Sequence, residues 1–231
     1  MKVIKPSYEI RKLDLDDISI IEEAARICYK SESAIKEGSA EKIIALLMDR
    51  GHESAIEHSR ITVKFIVDRG VSHEMVRHRL ASYSQESTRF CNYSQDKFGN
   101  EITVIEPCFY KERNEQDIHH SDDHPFLQAN SDSSDITKRY VLWYNSCLIA
   151  ESRYFQLLEI GATPQEARAV LPNSLKTEIY VTANFREWRN ILKLRTAKDA
   201  HPQIREVMIP LLRELQQKVP VIFNDIGGDI T

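Results

Sequence analysis

Apolar residues recur along the chain with two different periods. Ile61, Val63, Phe65 and Val67 alternate with Thr62, Lys64, Ile66 and Asp68, which puts the first set on one face of a strand ending at Arg69-Gly70. Thr177, Ile179, Val181 and Ala183 alternate with polar or aromatic neighbours and predict another strand. Elsewhere the spacing is helical. Over 16 to 29, Ile20, Ala24, Ile27 and Cys28 follow an acidic start and predict an amphipathic helix. Ser39 is placed to cap a second helix through Met48, with Ile43, Ile44, Leu46 and Leu47 on its buried side and Gly51 breaking the chain after it. A short helix is expected from about Ser72 to Leu80, and a long one from after Asp135 to Gly161, its C′ residue. Thr163-Pro164-Gln165-Glu166 has the capping-box pattern, and Asn184-Phe185-Arg186-Glu187 is a further N-cap with glutamate three residues on. Ile204, Val207, Met208, Leu211, Leu212, Leu215 and Val219 form the stripe of a final helix that Pro210 should bend. Residues 111 to 135 have almost no branched apolar side chains and read as an exposed polar loop or insertion. Helices alternating with a few strands define an α+β class, read as a single domain over 1–231 with no internal repeat.

Composition narrows the function. Glycine supplies only 7 of 231 residues, against roughly 7% in average proteins, and none has the spacing of a G-x-G-x-x-G turn or a P-loop. Dinucleotide-binding Rossmann folds and P-loop NTPases are therefore poor readings. With 31 Lys+Arg against 35 Asp+Glu the net charge is −4, so no global field recruits nucleic acid or a membrane, and any affinity for phosphate is local. Cys28, Cys91, Cys108 and Cys147 form no C-x-x-C pair and no secretory leader precedes them, so free thiols in a cytoplasmic, reducing setting are expected. Apolar runs are too short to span a bilayer.

The chemistry concentrates in three blocks. Arg77-His78-Arg79-Leu80-Ala81-Ser82-Tyr83-Ser84-Gln85-Glu86-Ser87-Thr88-Arg89 offers guanidinium forks and hydroxyls that converge on a phosphate dianion if the chain turns after a helix end, each charge-assisted bond contributing about 1.5–3 kcal/mol. The alternative is a solvated basic face in which Glu74 and Glu86 pair with the arginines. In Gly51-His52-Glu53-Ser54-Ala55-Ile56-Glu57-His58, Ile56 stands where H-E-x-x-H needs its second histidine, so a metal hydrolase is disfavoured and no metal is expected. His119, His120 and His124 fall in the polar insertion and read as solvent-facing. The third block runs from Ala167-Arg168 through Asn184-Phe185-Arg186-Glu187-Trp188-Arg189-Asn190 to Arg195, with Arg186 and Asn190 on one helical face and Trp188 and Leu192 on another.

Together, R-H-R-x-x-S-x-x-x-x-S-x-R at 77 to 89, G-H-E-S-x-x-E-H upstream, E-A-R-x-V-L-P at 166 to 172 and N-x-R-x-x-x-N-x-x-x-x-R at 184 to 195 resemble the flavin-dependent thymidylate synthases. The resemblance implies an antiparallel sheet flanked by helices, a homotetramer with shared active sites, and FAD-dependent reductive methylation of dUMP to dTMP. Methylenetetrahydrofolate would give the carbon and NADPH the electrons. By position it implies flavin contacts at His52, Ser54, Glu57, Arg77, His78, Arg79, Leu80, Gln85, Asn184, Arg186 and Asn190. It implies nucleotide contacts at Glu74, Arg77, Gln85, Glu86, Ser87, Thr88, Arg89, Arg168 and Arg195. Arg195 resembles the family arginine set against the uracil ring, where a cation favours the N3-deprotonated form and no protein nucleophile is needed. Ser87 is accordingly a binding residue and Cys91 a packed one. Position 74 is Glu where many relatives carry Gln, and position 85 is Gln where some carry Glu. The competing reading is a nucleotide- or RNA-binding module without catalysis, with Tyr83, Phe90 and Tyr93 as stacking partners.

Overall fold

The computed structural model describes residues 1–13, 17–121 and 124–227. In chain order its elements are β1 (Lys2–Ile4), β2 (Ser7–Leu13), α1 (Asp17–Ile27), α2 (Ser39–Asp49), β3 (Arg60–Asp68), α3 (Arg69–Met75), β4 (Ala81–Gln85), β5 (Thr103–Ile105), β6 (Ile118–His120), β7 (Leu127–Ala129), α4 (Asp135–Glu159), α5 (Pro164–Ala167), β8 (Lys176–Asn184), α6 (Phe185–Thr196), α7 (Pro202–Lys218) and α8 (Pro220–Phe223). The main sheet has the order β2-β3-β8-β4. Its two inner strands are those the alternation predicted: Ile61, Val63, Phe65 and Val67 of β3, with Thr177, Ile179, Val181 and Ala183 of β8, are all buried. The class is α+β, helices with an antiparallel sheet, joined by an antiparallel β6-β7 pair and a parallel β1-β5 pair.

Contacts divide the chain into two compact units that interleave in sequence. The first comprises Met1–Pro6, Ile66–Ser72 and Gln85–Glu178; the second comprises Ser7–Phe65, His73–Ser84 and the chain from Ile179 on. In the first, Tyr93, Ile102, Val104, Cys147, Tyr154, Ala167 and Leu175 form a core that fixes α4. The Ser134 hydroxyl accepts the Thr137 N–H at the start of that helix. At its end Gly161, at φ +93°, lets its own N–H reach Leu158 and that of Ala162 reach Leu157, the Schellman closure that satisfies the last carbonyls. Glu166 then accepts both the N–H and the hydroxyl of Thr163, but the helix that opens there is a single turn. In the second unit the whole predicted stripe of α7 is buried, around Pro210 within the helix.

Four expectations are corrected. The buried face of α1 is Ile21, Glu22 and Ala25, while Ile20 and Ile27 are 46% and 57% exposed. Counting apolar residues misses this because Glu22 takes a buried position, satisfied there by Arg26 Nε and Ser39 Oγ at 2.6 Å each. Ser39 is therefore committed to Glu22, and the residue before α2 is Gly38 at φ +69°; Leu46 of that helix is exposed. The short helix starts at Arg69 and stops at Met75, and 81 to 85 is a strand where a turn leaving the helix was expected. The segment 111 to 135 is mostly exposed, yet it contains the β6-β7 pair, and Leu127 packs with Tyr140 and Val141 of α4.

Candidate active site

The junction of β8 and α6 organises the second unit. Asn184 caps α6 by accepting the Glu187 N–H at 2.8 Å, which sets the helix so that Trp188, Ile191 and Leu192 enter the core. The Trp188 indole donates to the Ile61 carbonyl at 3.0 Å. The opposite side of α6 then faces a cleft of about 610 Å³ lined by Glu53, Glu57, Leu80, Asn184, Arg186, Glu187, Arg189, Asn190 and Lys193. A second hollow of about 420 Å³ shares Glu57, Leu80 and Asn184 with it and adds Arg79. Each lies in the size range of small-molecule sites, roughly 300–1,000 Å³.

Two arginines on α6 shape this cleft differently. Arg186 is half-exposed and pairs with Glu57 at 2.5 Å. Arg189 is buried: it donates to the Ile222 carbonyl, grips both oxygens of Asp225 at 2.6 Å, and reaches Glu53 at 3.3 Å. The hydrogen bond from Arg189 is the main force holding the Asp225 carboxyl below its ordinary pKa.

Beside them a bonded group forms around His78. The turn after α3, closed by Arg77 N–H to Glu74 and His78 N–H to Met75, is tied to β4 by the Tyr83 hydroxyl, which lies 2.8 Å from the Met75 carbonyl and 2.7 Å from that of His78. Burial first, then the Glu187 charge, pushes the Tyr83 phenol up to about 12, so it remains a donor. His78 is buried, and its Nε2 accepts Arg195 Nε–H at 2.9 Å. Arg195 also donates to the Glu74 carboxylate at 3.0 Å and to the Glu74 carbonyl at 3.2 Å. Burial, then the Arg195 cation, lowers the His78 pKa, so the ring is neutral.

In the first unit, the Ser87 carbonyl accepts the N–H groups of Phe90 and Cys91, and its hydroxyl accepts the Arg89 N–H. Arg89 stands over the Phe90 ring at 5.4 Å, and Arg168 reaches the Thr88 hydroxyl at 3.4 Å. Gln85 donates to Ser72 and Thr177 at 2.9 and 3.1 Å. Glu86 is held by Lys176 at 2.9 Å and by the Tyr93 hydroxyl at 3.1 Å. Burial raises the pKa of Cys91, in keeping with a packed thiol.

Of the residues expected at a flavin, Glu57, Leu80, Asn184, Arg186 and Asn190 line the larger cleft and Arg79 the adjoining hollow. His78 joins Arg195 and Glu74, Gln85 is bonded within the first unit, and His52, Ser54 and Arg77 are exposed side chains that line neither space. The expected nucleotide residues divide between the units: Glu74, Arg77 and Arg195 in the second, Gln85 to Arg89 and Arg168 in the first. Sequence reasoning missed Glu53, Glu187, Arg189 and Lys193 as cleft residues. Glu187 looked fully explained as a helix-start glutamate, and the partners of Arg189 lie 33 to 136 residues away. The one available signal was that 189 and 193 follow 186 at helical spacing.

The fold is shared with a nucleotide-modifying enzyme of known structure. The UMP/dUMP methylase PolB from Streptomyces cacaoi, solved with 5-Br dUMP, superposes with a TM-score of 0.74 over 97% of this chain and 96% of that one, at 23% identity. A family model described as Thymidylate synthase complementing protein matches residues 12–221, and the chain belongs to that family. Relatives named flavin-dependent thymidylate synthase include that of Corynebacterium efficiens, 32% identical over 215 residues, which is 90% of this chain and 78% of the relative. That of Geobacter sulfurreducens is 31% identical over 211 residues, 88% and 79% of the two chains. No helix among the described residues is long and apolar enough to cross a membrane.

Proposed function

We propose that this protein is a flavin-dependent thymidylate synthase: it methylates dUMP to dTMP with carbon from methylenetetrahydrofolate and electrons from NADPH, using FAD. The observation that carries the reading is the cleft at the start of α6, where Glu57, Leu80, Asn184, Arg186 and Asn190, drawn from three separate sequence blocks, line one space. Its residues suit a flavin dinucleotide. Leu80 is 77% exposed at the mouth of both hollows, an apolar surface suited to a flat ring, while Arg186, Lys193 and Arg79 supply cations for a diphosphate. FAD, when bound, would supply the relay of reducing equivalents from NADPH to the pyrimidine.

The chain's own part is binding and charge placement. Arg195, anchored by Glu74 and His78, retains part of its donor fork for a ligand; set against a uracil it would favour the N3-deprotonated ring, which is richer in electrons at C5. Ser87, Thr88, Arg89 and Arg168 would hold the nucleotide phosphate, with Glu74, Arg77, Gln85 and Glu86 around the pyrimidine and sugar. His52, Ser54, Arg77, His78, Arg79 and Gln85 complete the flavin assignments. The whole of 1–231 is read as one functional domain acting as a homotetramer with shared sites. Four free cysteines accord with the cytoplasm.

The test is direct. The purified protein should be yellow or take up FAD, and should form dTMP from dUMP and methylenetetrahydrofolate when NADPH is present; a colourless protein that ignores FAD and binds RNA would favour the binding-module reading. Arg89→Ala should keep its flavin while the KM for dUMP rises roughly 10- to 100-fold, the equivalent of one charged hydrogen bond. Loss of flavin in that variant would show that the division of roles is wrong.

A further inference from the structure

Glu187 appears in the sequence blocks only as a helix-start glutamate, and none of the roles proposed above uses it. It is the third residue of α6, where capping alone would account for a glutamate, yet its carboxylate is buried to the same degree as His78. The Asn190 side-chain amide lies 3.4 Å from both of its oxygens, and Oε1 is 3.7 Å from His78 Nδ1. On the far side of the imidazole, Nε2 is 2.9 Å from Arg195 Nε. A guanidinium Nε always carries its hydrogen, so Nε2 presents its lone pair. A neutral imidazole has one N–H, and that hydrogen is then on Nδ1, facing Glu187. The charged and titratable groups around the ring are Glu187 and Arg195 from α6, Glu74 of α3 behind Arg195, and Tyr83 of β4 against the His78 carbonyl.

We infer that Glu187 is a positioning residue: it holds His78 in the Nδ1–H tautomer, whose Nε2 lone pair fixes Arg195 Nε and so sets the direction of the guanidinium. The opposite tautomer would set one N–H against another across 2.9 Å, lose the bond and release Arg195 from one of its two anchors. The consequence for catalysis rests on the proposed role of Arg195; the location of the hydrogen does not.

Nitrogen-15 NMR of the imidazole in substrate-free protein, with the His78 signals assigned by their loss in His78→Gln, reads the tautomer. The wild type should carry its hydrogen on Nδ1. Glu187→Gln keeps the size of the side chain but adds a group that can donate to Nδ1, so the Nε2–H form should appear; Glu187→Asp should restore the wild-type pattern. In parallel, Glu187→Gln should lower kcat for thymidylate formation roughly tenfold with the KM for dUMP within about twofold of wild type, and Glu187→Asp should recover most of it. A wild-type ring protonated on Nε2, or a Glu187→Gln variant with lower thermal stability but unchanged tautomer and kcat, overturns the inference. A tautomer that responds to Glu187 in a protein making no thymidylate would instead sink the reaction reading and leave the placement of the hydrogen standing.

Discussion

Arg195→Ala is expected to lower kcat/KM for thymidylate formation by about 10²–10³-fold while FAD remains bound, the range for loss of one preorganised charge-stabilising donor. Arg195 is aimed: three of its N–H groups are spent on His78 and Glu74, so no reorganisation is required when charge develops on a ligand. Alanine removes the cation and strands its anchors, leaving the Glu74 carboxylate unopposed and His78 Nε2 without its donor. Arg195→Lys should recover only part of the loss, since a single ammonium cannot span His78 and Glu74 in the geometry of a planar fork. Steady-state kinetics with flavin occupancy read from absorbance decides it. Rates within tenfold of wild type, or an apoprotein, would show that Arg195 does not have this role.

Arg189→Met should destabilise the fold by about 3 kcal/mol, measured as a shift in urea midpoint at unchanged slope. Methionine keeps most of the buried volume. What is lost is the donor to the Ile222 carbonyl, whose unmet desolvation costs about 1–3 kcal/mol, and the charge-assisted grip on Asp225 and Glu53. The result should fall at the low end of the 3–5 kcal/mol seen when a buried pair is broken, because Asp225 is 58% exposed and water can take over its solvation. The same pair has a pH signature. Since Arg189 depresses the Asp225 pKa in the folded state, its contribution is full above the unfolded value of about 3.9 and disappears as pH falls through the lower folded value. Asp225→Asn should therefore lie below wild type in stability at pH 7, with the two curves converging below about pH 3.9. Parallel curves would show that the pair contributes nothing through charge.

Strands β3 and β8, helices α4 and α7 and the cap at Asn184 were readable because each depends on periodicity or on a local hydrogen bond within a few residues. The face of α1 was not, because a buried glutamate satisfied by Ser39, 17 residues on, looks polar in any local count. The strand over 81 to 85 was obscured by its hydroxyl-rich composition: Tyr83 and Gln85 turn inward to bond Met75, His78, Ser72 and Thr177, partners that only the folded chain supplies. At the site, the match to the family's motifs brought five cleft residues forward, while Glu53 and Arg189 stayed hidden because each is defined by the other's charge, and Glu187 because its burial beside His78 exists only in the folded chain. The likeness to known family members supplied the cofactor and the reaction; residue chemistry alone reached no further than a local anion site.

The grip of Arg189 on Ile222 and Asp225 ties residues 222 to 225 to a guanidinium that lines the cleft. Cutting the protein back to residue 221 would delete no side chain assigned to a ligand, yet it would take away two of the three partners of a buried guanidinium and leave it with the carboxylate of Glu53 alone. Trimming at residue 221, which also removes the buried Ile222, Phe223 and Ile226, is thus expected to lower flavin content and stability together, and low cofactor content in such a preparation would reflect the lost anchor rather than a weak site.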